Sequence, residues 1–270
     1  MLSTMISAGN TMGQLQQQLD TIGHNIANID TEGYKRTDTS FQEVIRQQID
    51  NQPDKAKEVG RLTDYGLRPG AGAVMSQNLV FSQGTLKTTD RKLDIAFTKP
   101  GQFLKVEDSG KVRYTRDGAM YLSPLTDGSG KSILVNSQGN KILGDNNQPI
   151  LLDGSAEDFE ITADGTIEAT AANGTTQQVN LGIVQVNKMQ SLIPSGGGLY
   201  SLNPGDPQAL TALTGGLMQQ IGMQQGALEM SNVDLSKEMS DLMISQRAYQ
   251  LNAKSITMGD QMLGLINGIR

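Results

Sequence analysis

The feature that most constrains this chain is an apolar seam at each of its ends. From Met5, apolar or small residues fall at Ala8, Met12, Leu15, Leu19, Ile22 and Ile26 in alternating steps of three and four, the spacing of a helix packed along a narrow line against another helix. At the far end Leu235, Leu242, Tyr249, Ile256 and Leu263 recur every seven residues, with Met239 and Ala253 at the complementary position and Gln246 and Asp260 interrupting it. Asn232 or Ser231 is suited to cap that helix, and Asp234 and Glu238 place negative charge near its positive end. Gly9, Gly13 and Gly23 in the first segment, and Gly259, Gly264 and Gly268 in the last, each weaken a helix by about 1 kcal/mol relative to alanine. Neither helix is expected to be stable alone, so both are expected to order on assembly.

Between residues 76 and 222 the period changes to two. Lys111–Thr115, Ser132–Val135, Phe159–Thr162, Thr166–Ala169 and Val179–Val186 read as strands, separated by turn signals at Asp108-Ser109-Gly110, Asp117-Gly118, Ser137–Asn140, Asp164-Gly165 and Asn173-Gly174. No helical pattern intervenes, so the sheet is expected to be antiparallel rather than built from βαβ units. Pro- and Gly-rich spans over 50–75 and 194–216 read as connectors. The expectation is an α+β chain: a discontinuous coiled-coil domain from the N- and C-terminal helices, plus a central, mainly antiparallel β domain. Its parts are an N-terminal helix and following segment (1–45), an extended connector (46–75), the β domain (76–222) and a C-terminal helix pairing with the first (223–270).

Composition removes most chemistries. The chain has no cysteine and a single histidine, His24, so thiolate catalysis, disulfides and multi-histidine metal centres are excluded, and no cofactor or metal is expected. A formal charge of −6 gives no field for nucleic acid. The longest apolar run, Ala119–Leu122, is far below the ~20 residues that span a bilayer, and no cleavable secretory signal or membrane insertion is expected. Gly128-Ser129-Gly130-Lys131-Ser132 resembles the end of a phosphate-binding loop, but position 125 is Leu125 and a strand rather than a helix follows. Glu160 and Glu168 lie on neighbouring expected strands, where a wall-cleaving enzyme would need a carboxylate pair. Alternation along a solvated face accounts for them equally well.

The densest local signal follows the first helix: Asn25-Ile26-Ala27-Asn28-Ile29-Asp30-Thr31-Glu32-Gly33-Tyr34-Lys35-Arg36. Asn28 and Asp30 are helix-ending residues, Gly33 permits positive φ, and Tyr34 offers a ring with a polar tip. This stretch resembles the signature of flagellar axial proteins, the rod and hook subunits of the bacterial flagellum. Leu228-Glu229-Met230-Ser231-Asn232-Val233, Glu238-Met239 and Gln246-Arg247-Ala248-Tyr249 resemble that family's C-terminal pattern. Gln83–Thr89, Leu93–Ala96 and Tyr114–Gly118 resemble its core motifs, whereas Lys99-Pro100-Gly101-Gln102-Phe103 departs from the family's local turn.

The resemblance implies a non-enzymatic, distal-rod-like subunit of the basal body. Such a subunit polymerises helically around the export channel and transmits torque to the hook; a paralogous rod or short hook-like subunit is the alternative. Its implied partners are copies of itself, other rod and hook subunits, and the export apparatus. Phe41 and Ile45 match a short export signal, and export proceeds without a cleaved leader. Met5, Met12, Leu15, Leu19, Ile22, Asn25, Ile26, Asn28, Gly33 and Tyr34 are the assembly residues expected at one end. Leu235, Met239, Leu242, Tyr249, Ile256 and Leu263 are those at the other.

Overall fold

The computed structural model describes residues 2–47, 67–125, 130–154, 156–171 and 174–268. The chain divides into two units, each assembled from separated stretches. The first takes Met1–Ile26, Thr37–Asn78 and Leu235–Arg270, and the second takes Ala27–Arg36 and Leu79–Asp234. The architecture is α+β, with a helix at each end and a largely antiparallel β region between.

In the first unit, helix α1 runs Leu2–Ala27 and helix α2 runs Leu235–Gly268, while strands Thr37–Gln47 and Leu67–Leu79 form a two-stranded sheet. Strand therefore occupies both described ends of the expected 46–75 connector, and residues 48–66 lie outside the described residues. Helix α2 begins at Leu235, not near 223. Residues Met223–Gln225 and Ala227–Glu229 are strands instead.

Two contacts tie α1 to α2 in opposite directions. The Asn25 amide donates to Glu238 Oε2 at 3.2 Å, and a Cβ at Gly259 would lie 3.1 Å from Met5 Cγ. The two helices are therefore antiparallel. The covered face of α2 is Leu242, Tyr249, Ile256 and Leu263, half-buried, together with the line Glu238, Ser245, Asn252 and Gly259. The second line lies one residue before the expected Met239 and Ala253. The supposed interruptions at Gln246 and Asp260 vanish in this register, because the seam passes through Ser245 and Gly259. Leu235 and Met239 are both 44% exposed. Apolarity misplaced only the second line, because its residues are small or polar.

In the second unit, strand Gln102–Asp108 is central to a ten-stranded sheet, pairing antiparallel with Lys111–Thr115, Lys141–Ile142 and Ile183–Val186. Strands Ala156–Ile161, Thr166–Ala171 and Thr176–Asn180 form a separate antiparallel sheet. Two short ladders join Ile95–Phe97 to Met223–Gln225 and Leu86–Thr88 to Ala227–Glu229. The hairpin loop Ser109-Gly110 takes φ of 50° and 77°, the conformation a two-residue turn between twisted strands demands. The expected strand Val179–Val186 is broken at Gly182, where a Cβ would lie 2.4 Å from the Gly144 carbonyl oxygen. That close approach lets the chain leave one sheet for the other. No described helix is long and apolar enough to cross a membrane.

The core of this unit gathers Leu104, Val106, Met120, Leu134, Ile142, Leu152 and Ile167, all fully buried. Truncating Leu104 to alanine removes packing that its neighbours cannot refill. Leu104→Ala is expected to lower stability by about 2–5 kcal/mol, read as an earlier denaturant midpoint by circular dichroism.

Candidate functional site

Four separately quoted motifs meet at one carboxylate in the second unit. Glu229 lies on strand Ala227–Glu229, held in register by its pairing with Leu86. Its Oε1 accepts from Lys35 Nζ at 2.5 Å and from the Gly84 N–H at 2.9 Å. Its Oε2 accepts from Arg116 Nε at 2.6 Å, and its backbone carbonyl accepts from the Gly33 N–H at 2.7 Å. Lys35 is 1%, Glu229 2% and Arg116 3% exposed. Lys35 also donates to the Ser82 carbonyl. Arg116 donates to the Gln102 and Lys99 carbonyls, both at 3.1 Å, and its guanidinium lies 5.7 and 5.8 Å from the ring centroids of Phe97 and Phe103.

The divergent turn thus supplies two carbonyls to the arginine. Gly101 there has φ +80°, and a Cβ would reach the Gln185 side chain at 2.5 Å, so the sequence change retains the glycine the bend requires.

Burial pushes the Glu229 carboxyl up, but the Arg116 and Lys35 charges and their hydrogen bonds outweigh it and hold the group below the usual range. Burial likewise lowers the Lys35 ammonium, opposed by its bond to Glu229. Tyr200, stacked edge-on to Phe103 at 5.8 Å, is raised by burial and stays a neutral phenol. Asp117 is also raised by burial, although its oxygens accept from the Ala119 N–H and Ser137 Oγ.

Gly33 has φ +68°, as its position after the helix led one to expect, and a Cβ there would lie 2.6 Å from Arg116 C and Asp117 N. Asn232 does not cap α2. Its Oδ1 accepts from the Arg36 N–H at 2.7 Å while its amide donates to Val80 O and Ser82 O, fastening the two terminal motifs a second time.

In the first unit, Asn25 is buried and exchanges two bonds with the Thr37 backbone, at 2.9 and 3.0 Å. On α1, Leu15 and Ile22 are buried, and Met5, Met12, Leu19 and Ile26 are half-buried. In the second unit, Asn28 accepts from Thr31 Oγ1, and Tyr34 is half-buried. Phe41 and Ile45 fall in strand Thr37–Gln47, with side chains outside those described.

Lys35, Arg116 and Glu229 were visible as motif members but not as a cluster. A charge inside an apolar strand such as Ala227-Leu228-Glu229 was the available signal. Glu160 and Glu168 are direct cross-strand neighbours, Glu168 accepting from Gln178 at 2.6 Å. Lys131–Asn136 is strand, which denies the glycine-rich segment the helix a phosphate loop needs. Among the described residues no group of three or more acidic or histidine side chains is placed to hold a metal.

Comparison with known proteins places these features in a family. The family model "Flagella basal body rod protein" matches residues 5–35, "Flagellar hook protein FlgE/F/G D1 domain" matches 99–169, and "Flagellar basal body rod FlgEFG protein C-terminal" matches 224–269. The chain is 48% identical over 272 residues to the flagellar hook-basal body complex protein FlhP of Bacillus subtilis, covering all of both chains. It is 32% identical to the flagellar basal-body rod protein FlgG of the same organism, over 97% of each chain, and 28% identical to the FlgG of Borreliella burgdorferi over essentially full length. The chain belongs to the flagellar hook and basal-body rod protein family, whose members are structural components rather than enzymes.

Removing one partner of a buried ion cluster leaves the others uncompensated. Glu229→Gln is expected to destabilise the second unit by about 3–5 kcal/mol, measured by chemical unfolding. The sign with pH follows from linkage. The folded Glu229 carboxyl titrates below its unfolded value, so its contribution is full above the unfolded pKa, about 4.3, and is lost as pH falls through the folded one. Asp117, raised by burial, contributes with the opposite sign. The stability gap between wild type and Glu229→Gln is therefore expected to shrink below that pH, as acid–denaturant titration of both proteins would show.

Proposed function

We propose that this chain is an axial subunit of the flagellar rod, distal-rod-like in architecture, that polymerises helically around the export channel and transmits torque to the hook. The observation that carries this reading is that α2, paired with α1 along one face, keeps a long apolar face exposed. A lone folded protein gains nothing from such a face, whereas a polymer subunit buries it. In this reading α1 and α2 form a discontinuous coiled coil along their three- and four-residue lines and complete their ordering on assembly. The partners are further copies and neighbouring rod and hook subunits. The export apparatus delivers the chain to the basal body unfolded, with Phe41–Ile45 read on the way. Near-full-length likeness to FlgG supports the rod role.

A second reading has its own support. FlhP and FlgG occur in one organism, and the chain shares 48% identity with the first against 32% with the second. That difference favours a paralogous subunit adjoining the distal rod. A deletion strain separates the two: basal bodies arrested before the rod is complete support the distal-rod role, and complete rods without hooks support the paralogue.

Gly33→Val forces a side chain into the Arg116–Asp117 backbone, which matters only once the chain folds. The variant is expected to be secreted at wild-type levels yet absent from basal bodies, measured by immunoblotting of medium and purified basal bodies. Normal motility with Gly33→Val would refute this account of the segment.

A further inference from the structure

We infer that residues 220–232 are a closing strip that gates the folding of the second unit, which stays open until the strip docks. The inference stands on the packing of that unit and is independent of the axial-subunit reading. Among the described residues, strand Leu86–Thr88 pairs only with Ala227–Glu229, and strand Ile95–Phe97 only with Met223–Gln225. Ile221 and Met223 are buried in the same core as Ile95 and Phe97. At one end of the strip the Gln220 carbonyl accepts from Lys99 Nζ at 2.6 Å and from Gln102 Nε2 at 3.0 Å. Gln102 Oε1 in turn accepts from the Gly222 N–H at 3.1 Å. At the other end the Met230 N–H donates to the Thr85 carbonyl at 2.9 Å, just before the Asn232 bonds to Val80, Ser82 and Arg36. The fit is close enough that a Cβ on Gly84 would collide with the Met230 carbonyl.

Two features make this strip a gate rather than one edge among many. The first is charge. Arg116 lies against the rings of Phe97 and Phe103, and its acceptors on Lys99 and Gln102 are carbonyls, which carry no charge. Lys35 is buried close enough to feel the like charge of Arg116. Closing the unit before Glu229 arrives would bury both cations without a counter-charge, the costliest way to remove an ion from water. Both side chains therefore keep their hydration until the carboxylate docks, and the backbone around them stays open with them. The second feature is chain order. The hairpin of Gln102–Asp108 and Lys111–Thr115 is local, whereas Glu229 lies 145 positions from Gly84 and 194 from Lys35. Loop closure over such spans is slow and entropically costly, so docking of the strip sets the rate. A chain delivered amino end first, from a ribosome or through a channel, keeps this unit open until residue 232 is out. Only residues 233–270 then remain to follow.

Refolding of the full chain from denaturant tests the gate, followed by pulse-labelled hydrogen exchange with peptide-resolved mass spectrometry. In the wild type, peptides covering the strip, its two partner strands and strand Gln102–Asp108 are expected to gain protection in one phase. Glu229→Gln is expected to slow that phase about a hundredfold and to change the unfolding rate less than about threefold, the partition of an interaction already made in the transition state. Gly84→Ala obstructs docking without touching a charge and is expected to slow the same phase at least about tenfold. Protection of strand Gln102–Asp108 in an earlier phase than the strip would overturn the gate, and that comparison needs only the wild type. Refolding of Glu229→Gln at the wild-type rate, with faster unfolding, would overturn it as well, because the strip would then dock after the barrier.

Discussion

The second unit depends on a single buried carboxylate. Taking Glu229 out of water carries a penalty of several kcal/mol, and nothing local to strand Ala227–Glu229 offsets it. The compensation comes from Lys35, Gly84 and Arg116, which reach the side chain from three other segments, while Gly33 binds the backbone carbonyl of the same residue. Because each ion would be costly without the others, the cluster forms as a whole or not at all. The terminal motifs are thereby coupled to the β core through geometry rather than through apolar area, which makes the arrangement specific more than it makes it stable.

Helix α2 shows a related economy. Its line against α1 includes Glu238, Ser245, Asn252 and Gly259, where large apolar residues would give more burial. Small and polar residues here permit close approach and a defined hydrogen bond between Asn25 and Glu238. Of the bulky apolar residues of α2, Leu242, Tyr249, Ile256 and Leu263 flank that line half-buried, whereas Ile244, Leu251, Met258 and Leu265 are exposed. A helix arranged this way gains modestly from burial within one chain and leaves several of its large apolar side chains exposed.

What the sequence determined by itself is what depends on near neighbours. The extent of α1, the strand at Lys111–Thr115, the Ser109-Gly110 turn and the left-handed Gly33 all follow from periodicity and from the φ preferences of glycine, which act over a few residues. Tertiary structure decided the rest. On α2 the line Leu242, Tyr249, Ile256 and Leu263 is half-buried and only the complementary line falls one residue earlier, at Glu238, Ser245, Asn252 and Gly259, because burial is set by what α1 presents. Met223–Glu229 became strand because Ile95–Phe97 and Leu86–Thr88 offer open edges to it. The convergence on Glu229 joins residues 113 and 194 positions apart, and no local pattern encodes which distant charge will neutralise a buried one. Only the closed fold brings those partners within hydrogen-bonding distance.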